Sequence, residues 1–551
     1  MKSSAESRTA FGLLAAVMAS FLLVAWVGRP PAPPQVTGKV PALGVLPDQA
    51  YQLQDGVVRV DPGQGKQLLV AHGADGRFTP VAPDAVLPLD PDHVAAARLL
   101  ATPISLNWRH PLKGLPVADV YRVAIAGDGV RSEERLQTYL FQRHTDLPVV
   151  SLVMSTGALI DPDTGLLVVG NAIFDAPRKM AIAEARDPKW WKYPGNFHMR
   201  GKEWERSGRM QVITPDGNTF LESAVRVRVN GQMTRGFPQH ALRLGFEEPV
   251  LADVFKEDVG KGYEAWILRT AGNDQIKAML RDVFQHELCH GLPFETSRHL
   301  TCVAYINGAY WGVHHLRPRM DEHELARRYG IKRKHITILE DEARLYRGDT
   351  AEVVRFERLA ARTKSWDGIS TAWADTLNAR IDVDGFLTYM ASQMVLGNMD
   401  WPNQNVRFWR YTGKSRQERP LDGRWYFIMG DSDLGYGAQA SPTADMFERA
   451  RIMDVPVTRL FWGMMRSPRF KARFAEIARG LVEGPFAAER AEQVLNTMVA
   501  RIEPEMERHT ARWRKPSDKQ TWLGHVEVMR NFARQRGQAV LEQLKTFHEL
   551  P

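Results

Sequence analysis

Asp400-Trp401-Pro402-Asn403-Gln404-Asn405, followed by Asp431-Ser432-Asp433-Leu434-Gly435, is the stretch from which the rest of the chain is read. An Asp, an Asn five residues later and then a pair of Asp before a Gly is the layout with which protein kinases hold a nucleoside triphosphate and magnesium. In that layout the first Asp orients the accepting hydroxyl, and the Asn and a later Asp face the metal. Mg²⁺ suits such a set: it takes few protein ligands, all oxygen, and keeps water and phosphate in its other positions. Loops are also rich in Asp and Asn simply because both favour turns, so the motif needs support from the rest of the chain.

The chain has 551 residues, too many for one ordinary core, and at 44% hydrophobic and 25% charged it has a globular composition. A net charge of +8 is small for this length. It suits phosphate or an acidic surface, and the lack of a Lys/Arg run or a basic-aromatic array argues against nucleic acid as a partner. Lys2 and Arg8 precede a run of twenty uncharged residues, Thr9 to Gly28. That run is long enough to span a bilayer and has no good small-x-small cleavage site. Residues 1–29 are therefore read as a single-pass inner-membrane anchor in preference to a cleaved signal peptide, with the N-terminus inside and the main domain extracytoplasmic, at the cell membrane. Residues 30–45, PPAPPQVTGKVPALGV, read as a stiff linker. The two cysteines, Cys289 and Cys302, could pair in an oxidising compartment or stay as buried thiols, and the sequence leaves both open.

Residues 46–142 carry short strand-like runs, VVRV at 57–60, QLLV at 67–70, ISLNW at 104–108 and VYRVAIA at 120–126, separated by Gly, Pro and Asp. Such spacing predicts a small β-sandwich, and the run from 117 to 141 looks like the final hairpin of a fibronectin-III-like or chitobiase-C-terminal-like module. From Leu147 the pattern predicts strands at 147–155, 165–171, 209–231 around an Asp-Gly turn, and 241–246. A helix is expected over 274–292 and a hairpin turning at Asn307-Gly308. Helices then dominate, at 350–363, 383–397, 457–480, 487–511 and 519–547. The fold class expected is α+β, with a β-rich lobe, a helical lobe and a nucleotide cleft between them.

With these residues in view, the chain from 146 to 551 resembles the CotH kinase family, spore coat protein H-like atypical protein kinases. The resemblance runs in order through LPVVSLVMS (147–155), WERSGRMQV (204–212), VRVNGQMTRGFPQHALRL (227–244), MLRDVFQHEL (279–288), AYINGAYWGVHHLRPRMDEHEL (304–325), GNMDWPNQNVRFWR (397–410) and RWYFIMGDSDLGYG (424–437). It implies a two-lobed protein-kinase-like domain that uses ATP and Mg²⁺ to phosphorylate Ser or Thr of a protein. By motif, Asp400 is the counterpart of the catalytic-loop Asp, Asn405 of the metal-binding Asn, and Asp431 and Asp433 of the paired metal-binding Asp. Two positions depart from the family. His240 stands where a phosphate-binding Lys is expected, with Arg235 and Arg243 as substitute cations, and Pro318 stands near an expected Glu. These departures leave open a pseudokinase that binds nucleotide or protein without catalysis.

His286-Glu287-Leu288-Cys289-His290 also fits HExxH, which would mark a zinc peptidase. The third ligand is missing at the expected spacing, Pro293 breaks the helix, and the kinase resemblance runs through the segment. The expected reading is a structural helix with two surface His and one buried Cys. Arg281-Asp282 on the same helix is a candidate tie between the lobes.

Overall fold

The computed structural model describes residues 62–547 apart from 84, 91–93, 113, 142–144, 172–173 and 175–188, and the backbone of 56–57. The expected membrane anchor (1–29) and linker (30–45) lie outside the described residues. Among the described residues no helix is long and apolar enough to cross a membrane.

The first strands are β1 (Gly56–Val57), β2 (Gln67–His72), β3 (Thr79–Val81) and β4 (Val86–Leu87); helix α1 (Val94–Ala101) precedes β5 (Ala118–Gly127), β6 (Val130–Arg131) and β7 (Arg135–Leu140). Five of them form one sheet, and β1 pairs only with β4. Asp128 (φ 54°) and Gly129 (φ 74°) supply the two left-handed residues of the β5–β6 turn. A fibronectin-III-like module is not confirmed. Among the described residues of 46–142 the strands outside that sheet are the β1–β4 pair, and ISLNW at 104–108 is not a strand, because that stretch is an irregular turn after α1. The sheet docks directly on the next unit: Thr138 Oγ1 meets Ser151 Oγ at 2.8 Å, and Ala118 N donates to Gly308 O at 2.8 Å.

That unit is a closed barrel of β8 (Val149–Val153), β9 (Arg206–Ile213), β10 (Thr219–Asn230), β11 (Ala241–Val250), β12 (Tyr263–Arg269), β13 (Leu300–Ile306) and β14 (Ala309–Pro318). All its neighbours are antiparallel except β13 and β8. Leu152, Met210, Val225, Leu244, Trp266 and Leu316 fill it. Asn307 (φ 47°) and Gly308 (φ 77°) make the expected hairpin turn. A short helix α2 (Thr156–Ile160) follows β8, and α3 (Arg281–Leu288) lies between β12 and β13. The helix expected over 274–292 is therefore shorter, with residues 272–276 forming a 3₁₀ turn before it.

The second lobe holds more strand than its sequence suggested. A four-stranded antiparallel sheet of β15 (Ile336–Glu340), β16 (Arg344–Arg347), β17 (Val406–Tyr411) and β18 (Trp425–Met429) faces the barrel across a cleft, with α4 (Glu322–Tyr329) before it. Among them β18, WYFIM, is apolar and buried throughout, so it shows no period-2 alternation. Around the sheet run α5 (Ala351–Lys364), α6 (Thr371–Arg380), α7 (Val383–Leu396), α8 (Met446–Ile452), α9 (Pro456–Met465), α10 (Pro468–Glu483), α11 (Ala488–Ile502), α12 (Met506–Trp513) and α13 (Lys519–Phe547). The helix expected at 457–480 is split where Pro468 opens α10, and the one at 487–511 is split around Pro504. One large core joins α7, α9–α11 and α13 to α3.

Cys289 and Cys302 are both free and buried, in different apolar clusters. Reductant is expected to leave the melting temperature unchanged, and thiol titration of the unfolded chain to count two free thiols.

Candidate active site

Asp400 and Asn405 reach the cleft because the end of α7 is tightly specified. Gly397 (φ 62°) ends the helix in the left-handed region, and Asn398 Oδ1 accepts from Asp400 N at 3.3 Å. Trp401 is fully buried, and the Arg449 guanidinium holds the carbonyls of Trp401 and Met399. Asn405 itself is left-handed (φ 60°), a conformation that Asn tolerates better than most residues. Its Nδ2 donates to Asp400 Oδ2 at 3.1 Å. Gly430 lets the next strand end come close: a Cβ there would sit 2.4 Å from Asn405 O.

Asp400, Asn405 and Asp431 all line one cavity of about 390 Å³ between barrel and second lobe. Burial, and then the nearby Asp431, raises the Asp400 carboxyl above its ordinary range. Asp431 Oδ1 accepts from Arg269 Nη2 at 2.6 Å. Asp433 does not line the cavity. It is buried beneath the turn at 272–276, where Asn273 donates to it from backbone and side chain, and a Cβ on Gly272 would stand 1.9 Å from its Oδ2. Burial, and then Asp431, holds its carboxyl well above the usual range. Of the paired Asp, Asp431 faces the cavity and Asp433 is held under the turn at 272–276.

The three expected phosphate cations are elsewhere. Arg235 is buried and gives its guanidinium to four backbone carbonyls, of Gly231, Val229, Phe197 and Met199, at 2.6–3.0 Å. His240 is sealed in the barrel wall, stacked on Phe197, with Nε2 on Ile104 O at 2.9 Å; burial pushes it down to about 4. Arg243 faces Glu205 at 3.4 Å, outside the cavity. The reason is the strand they flank: Ala241 opens β11, so His240 falls on the inward side of the barrel.

The cavity's own cations are Arg269, Arg317, Arg319 and Arg407, and its acids include Glu340 and Asp341 besides Asp400 and Asp431. Sequence reasoning missed all six newcomers. The available signal was a single Arg closing an apolar strand, WILR, directly before a turn. Pro318 closes β14 and lines the cavity, so the expected Glu has no counterpart there.

Asp282 on α3 does tie the lobes. Its buried carboxylate meets Arg317 Nη1, Arg269 Nε at 3.3 Å and Ser432 N at 3.1 Å. Burial alone would raise this carboxyl, but Arg269 and Arg317 together hold it far below the carboxylate range. Gln285, one turn on, donates to Ser432 O at 2.7 Å. The HExxH reading fails on geometry. α3 ends at Leu288, so His290 is not on the helix; His290 is exposed, whereas His286 is buried between Ser297 N, Gly430 O and Arg317. The expectation of two surface His is thus corrected for His286. Among the described residues no three His, Cys, Asp or Glu side chains group as metal ligands.

The family model described as "CotH kinase protein" matches residues 227–540. The chain belongs to the CotH kinase family. Its matched span contains Asp400, Asn405, Asp431, Arg269 and Asp282, so the second lobe, the cleft and the barrel strands from β11 to β14 belong to a kinase-like domain. A solved structure titled "Crystal structure of A Helicobacter pylori proinflammatory kinase CtkA" is similar at 11% identity, over 52% of this chain and 94% of that one, with a TM-score of 0.21. No curated protein matches the chain.

Two outcomes follow for stability. Asp282→Ala leaves Arg317 and Arg269 without their shared carboxylate and should cost about 3–5 kcal/mol in urea unfolding. His240 stays neutral when folded but takes a proton below its ordinary 6.5 when unfolded, so wild type loses stability as pH falls from 6.5 toward 4. His240→Phe removes that loss. Its stability relative to wild type should rise by up to about 1.4 kcal/mol per pH unit across the window, read from denaturation series at pH 7, 6 and 5.

Proposed function

We propose that the chain transfers the terminal phosphoryl group of ATP to a Ser or Thr hydroxyl of a protein, with Mg²⁺. The observation that carries the reading is that Asp400, Asn405 and Asp431 line the same interlobe cavity. The donor set fits the ion: two carboxylates and an amide oxygen on one wall leave room for water and phosphate oxygens. Asp431 and Asn405 would hold Mg²⁺, which when bound neutralises phosphate charge. Asp400 would accept the hydrogen bond of the incoming hydroxyl and aim its oxygen at the phosphorus, and its raised carboxyl makes it a better base than an exposed Asp. The phosphoryl oxygen bond to the leaving diphosphate breaks as the bond to the hydroxyl oxygen forms, and Asp400 takes the proton. Met233, Ile267, Val406 and Ile428 give the cavity apolar wall for a base.

In the same reading, residues 9–28 anchor the protein in the cell membrane and the catalytic domain acts on an exported or surface protein. A second reading, nucleotide binding without transfer, is favoured by one observation: no lysine lines the cavity among the described residues.

The test is transfer of labelled phosphate from ATP by the full chain to an acceptor protein or to itself. Asp400→Asn is expected to lower transfer by about 10²–10⁴-fold while keeping nucleotide binding and an undiminished melting temperature, since a costly buried charge is removed. Asp431→Asn should abolish metal-dependent transfer. Labelling that persists in both variants sinks the assignment, and binding without labelling in wild type selects the second reading.

A further inference from the structure

The cavity has four arginines, all of them paired, and three have partners other than the candidate metal carboxylates. Arg317 uses all three nitrogens, Nη1 on Asp282, Nη2 on His286 at 3.2 Å and Nε on Ser297 Oγ at 3.1 Å. Arg407 donates to Met320 O at 3.0 Å and Glu340 at 2.9 Å and lies over the Tyr346 ring. Arg319 donates to Tyr346 Oη at 2.8 Å and faces Asp321 at 3.2 Å. Arg269 is different. Its guanidinium makes one side-chain hydrogen bond, from Nη2 to Asp431 at 2.6 Å, and that acceptor is the carboxylate best placed to hold a divalent cation. Its Nε faces Asp282 at 3.3 Å as a charge contact without a hydrogen bond. The side chain is 15% exposed, at the end of β12 where the strand runs out into the cleft.

We infer that Arg269 and Asp431 form a charge-exchange latch: the pair closes on itself when the cleft is empty and opens when a metal-bound nucleoside triphosphate enters, Asp431 turning to the cation and Arg269 to the phosphates. The inference rests on the proposed reading of this cleft and adds how the site is regulated. A carboxylate paired at hydrogen-bond distance with a guanidinium is a poor ligand for a free cation, and a guanidinium so paired is a poor ligand for phosphate. Each therefore masks the other, and the two ligands together release what either alone must break. Asp282 is what makes the exchange affordable, because it stays beside Arg269 whether or not Asp431 does. Arg269 thereby takes the place that the sequence offered to His240, and does so from a different strand. The fork geometry of Arg suits phosphate, which a lysine would meet only as a point charge.

The test uses the full chain, Mn²⁺ as a spin-detectable metal and a non-hydrolysable ATP analogue, each titrated alone by electron paramagnetic resonance and by fluorescence. Arg269→Gln is expected to bind Mn²⁺ alone about 5-fold or more tighter than wild type, and the analogue in chelator at least as much weaker, the lower end of ordinary coupling between sites. Arg319→Gln, which removes the same charge from the same cavity without touching Asp431, should change both by less than about twofold. If Arg269→Gln does not fold, Asp431→Asn answers instead: with the guanidinium released, the analogue should bind more tightly in chelator than it does to wild type. Unchanged affinities in Arg269→Gln, equal effects from Arg319→Gln, or weakened metal-free binding in Asp431→Asn would falsify the latch while leaving the kinase reading intact. Wild type that binds neither Mn²⁺ nor the analogue overturns both.

Discussion

The kinase-like domain depends on one buried carboxylate. Asp282 sits at the start of α3 with Arg269 of β12 and Arg317 of β14 on one side and the backbone of Ser432 on the other. Two strands of the barrel and the acidic loop of the second lobe are therefore indexed to a single charge. In a medium of low polarity such a charge is tolerable only while its counter-ions and hydrogen bonds stay in place, so the arrangement cannot relax by small steps. That stiffness is useful. It holds the loop carrying Asp431 at a fixed distance from the strand carrying Arg269, across the very gap that the cavity occupies.

The other supports of the cleft follow the same logic of fixing short loops by buried polar contacts. Arg281 pairs with Asp274 and reaches Tyr436 O, tying the turn at 272–276 to the chain beyond the acidic loop. Asp433 is held under that turn, and Arg449 clamps the carbonyls on either side of Asp400. The loops carrying Asp400 and Asp431 are thus each fixed by buried polar neighbours that do not line the cavity. Burial, and after it repulsion from the neighbouring Asp431, pushes the Asp400 and Asp433 carboxyls up.

How much of this was legible in the sequence depends on how local the information was. The Asp400–Asn405 loop, the acidic loop and the Asn307-Gly308 hairpin are written in short stretches whose residues demand particular backbone, and all three stand where the spacing put them. The four-stranded sheet of the second lobe was not readable, because strands such as WYFIM are buried on both faces and lose the alternation that marks a strand. The β-sandwich expectation overran because ISLNW has the composition of a strand but no neighbour to pair with. The cation was misassigned for a related reason. Arg269 and Asp431 are 162 residues apart, and nothing in either segment names the other. His240 was chosen by position along one strand, whereas a barrel decides by strand pleat which residues face inward.

The location of the cation also bears on why a chain lacking the expected lysine and glutamate can keep the cleft. A lysine–glutamate pair is one way to hold a positive charge above phosphates, with the glutamate as its permanent companion. On the proposed reading Asp282 is the permanent companion and Arg269 the charge, and both come from the barrel side of the cleft, on α3 and β12. On the same reading, the substitution pattern that reads in the sequence as two losses is one displacement of a charge pair, from His240 and Pro318 to Arg269 of β12 and Asp282 of α3. Whether a kinase-like cleft is competent is then a question about the charges that converge in space, and it is not answered by the residues that occupy the customary positions along the chain.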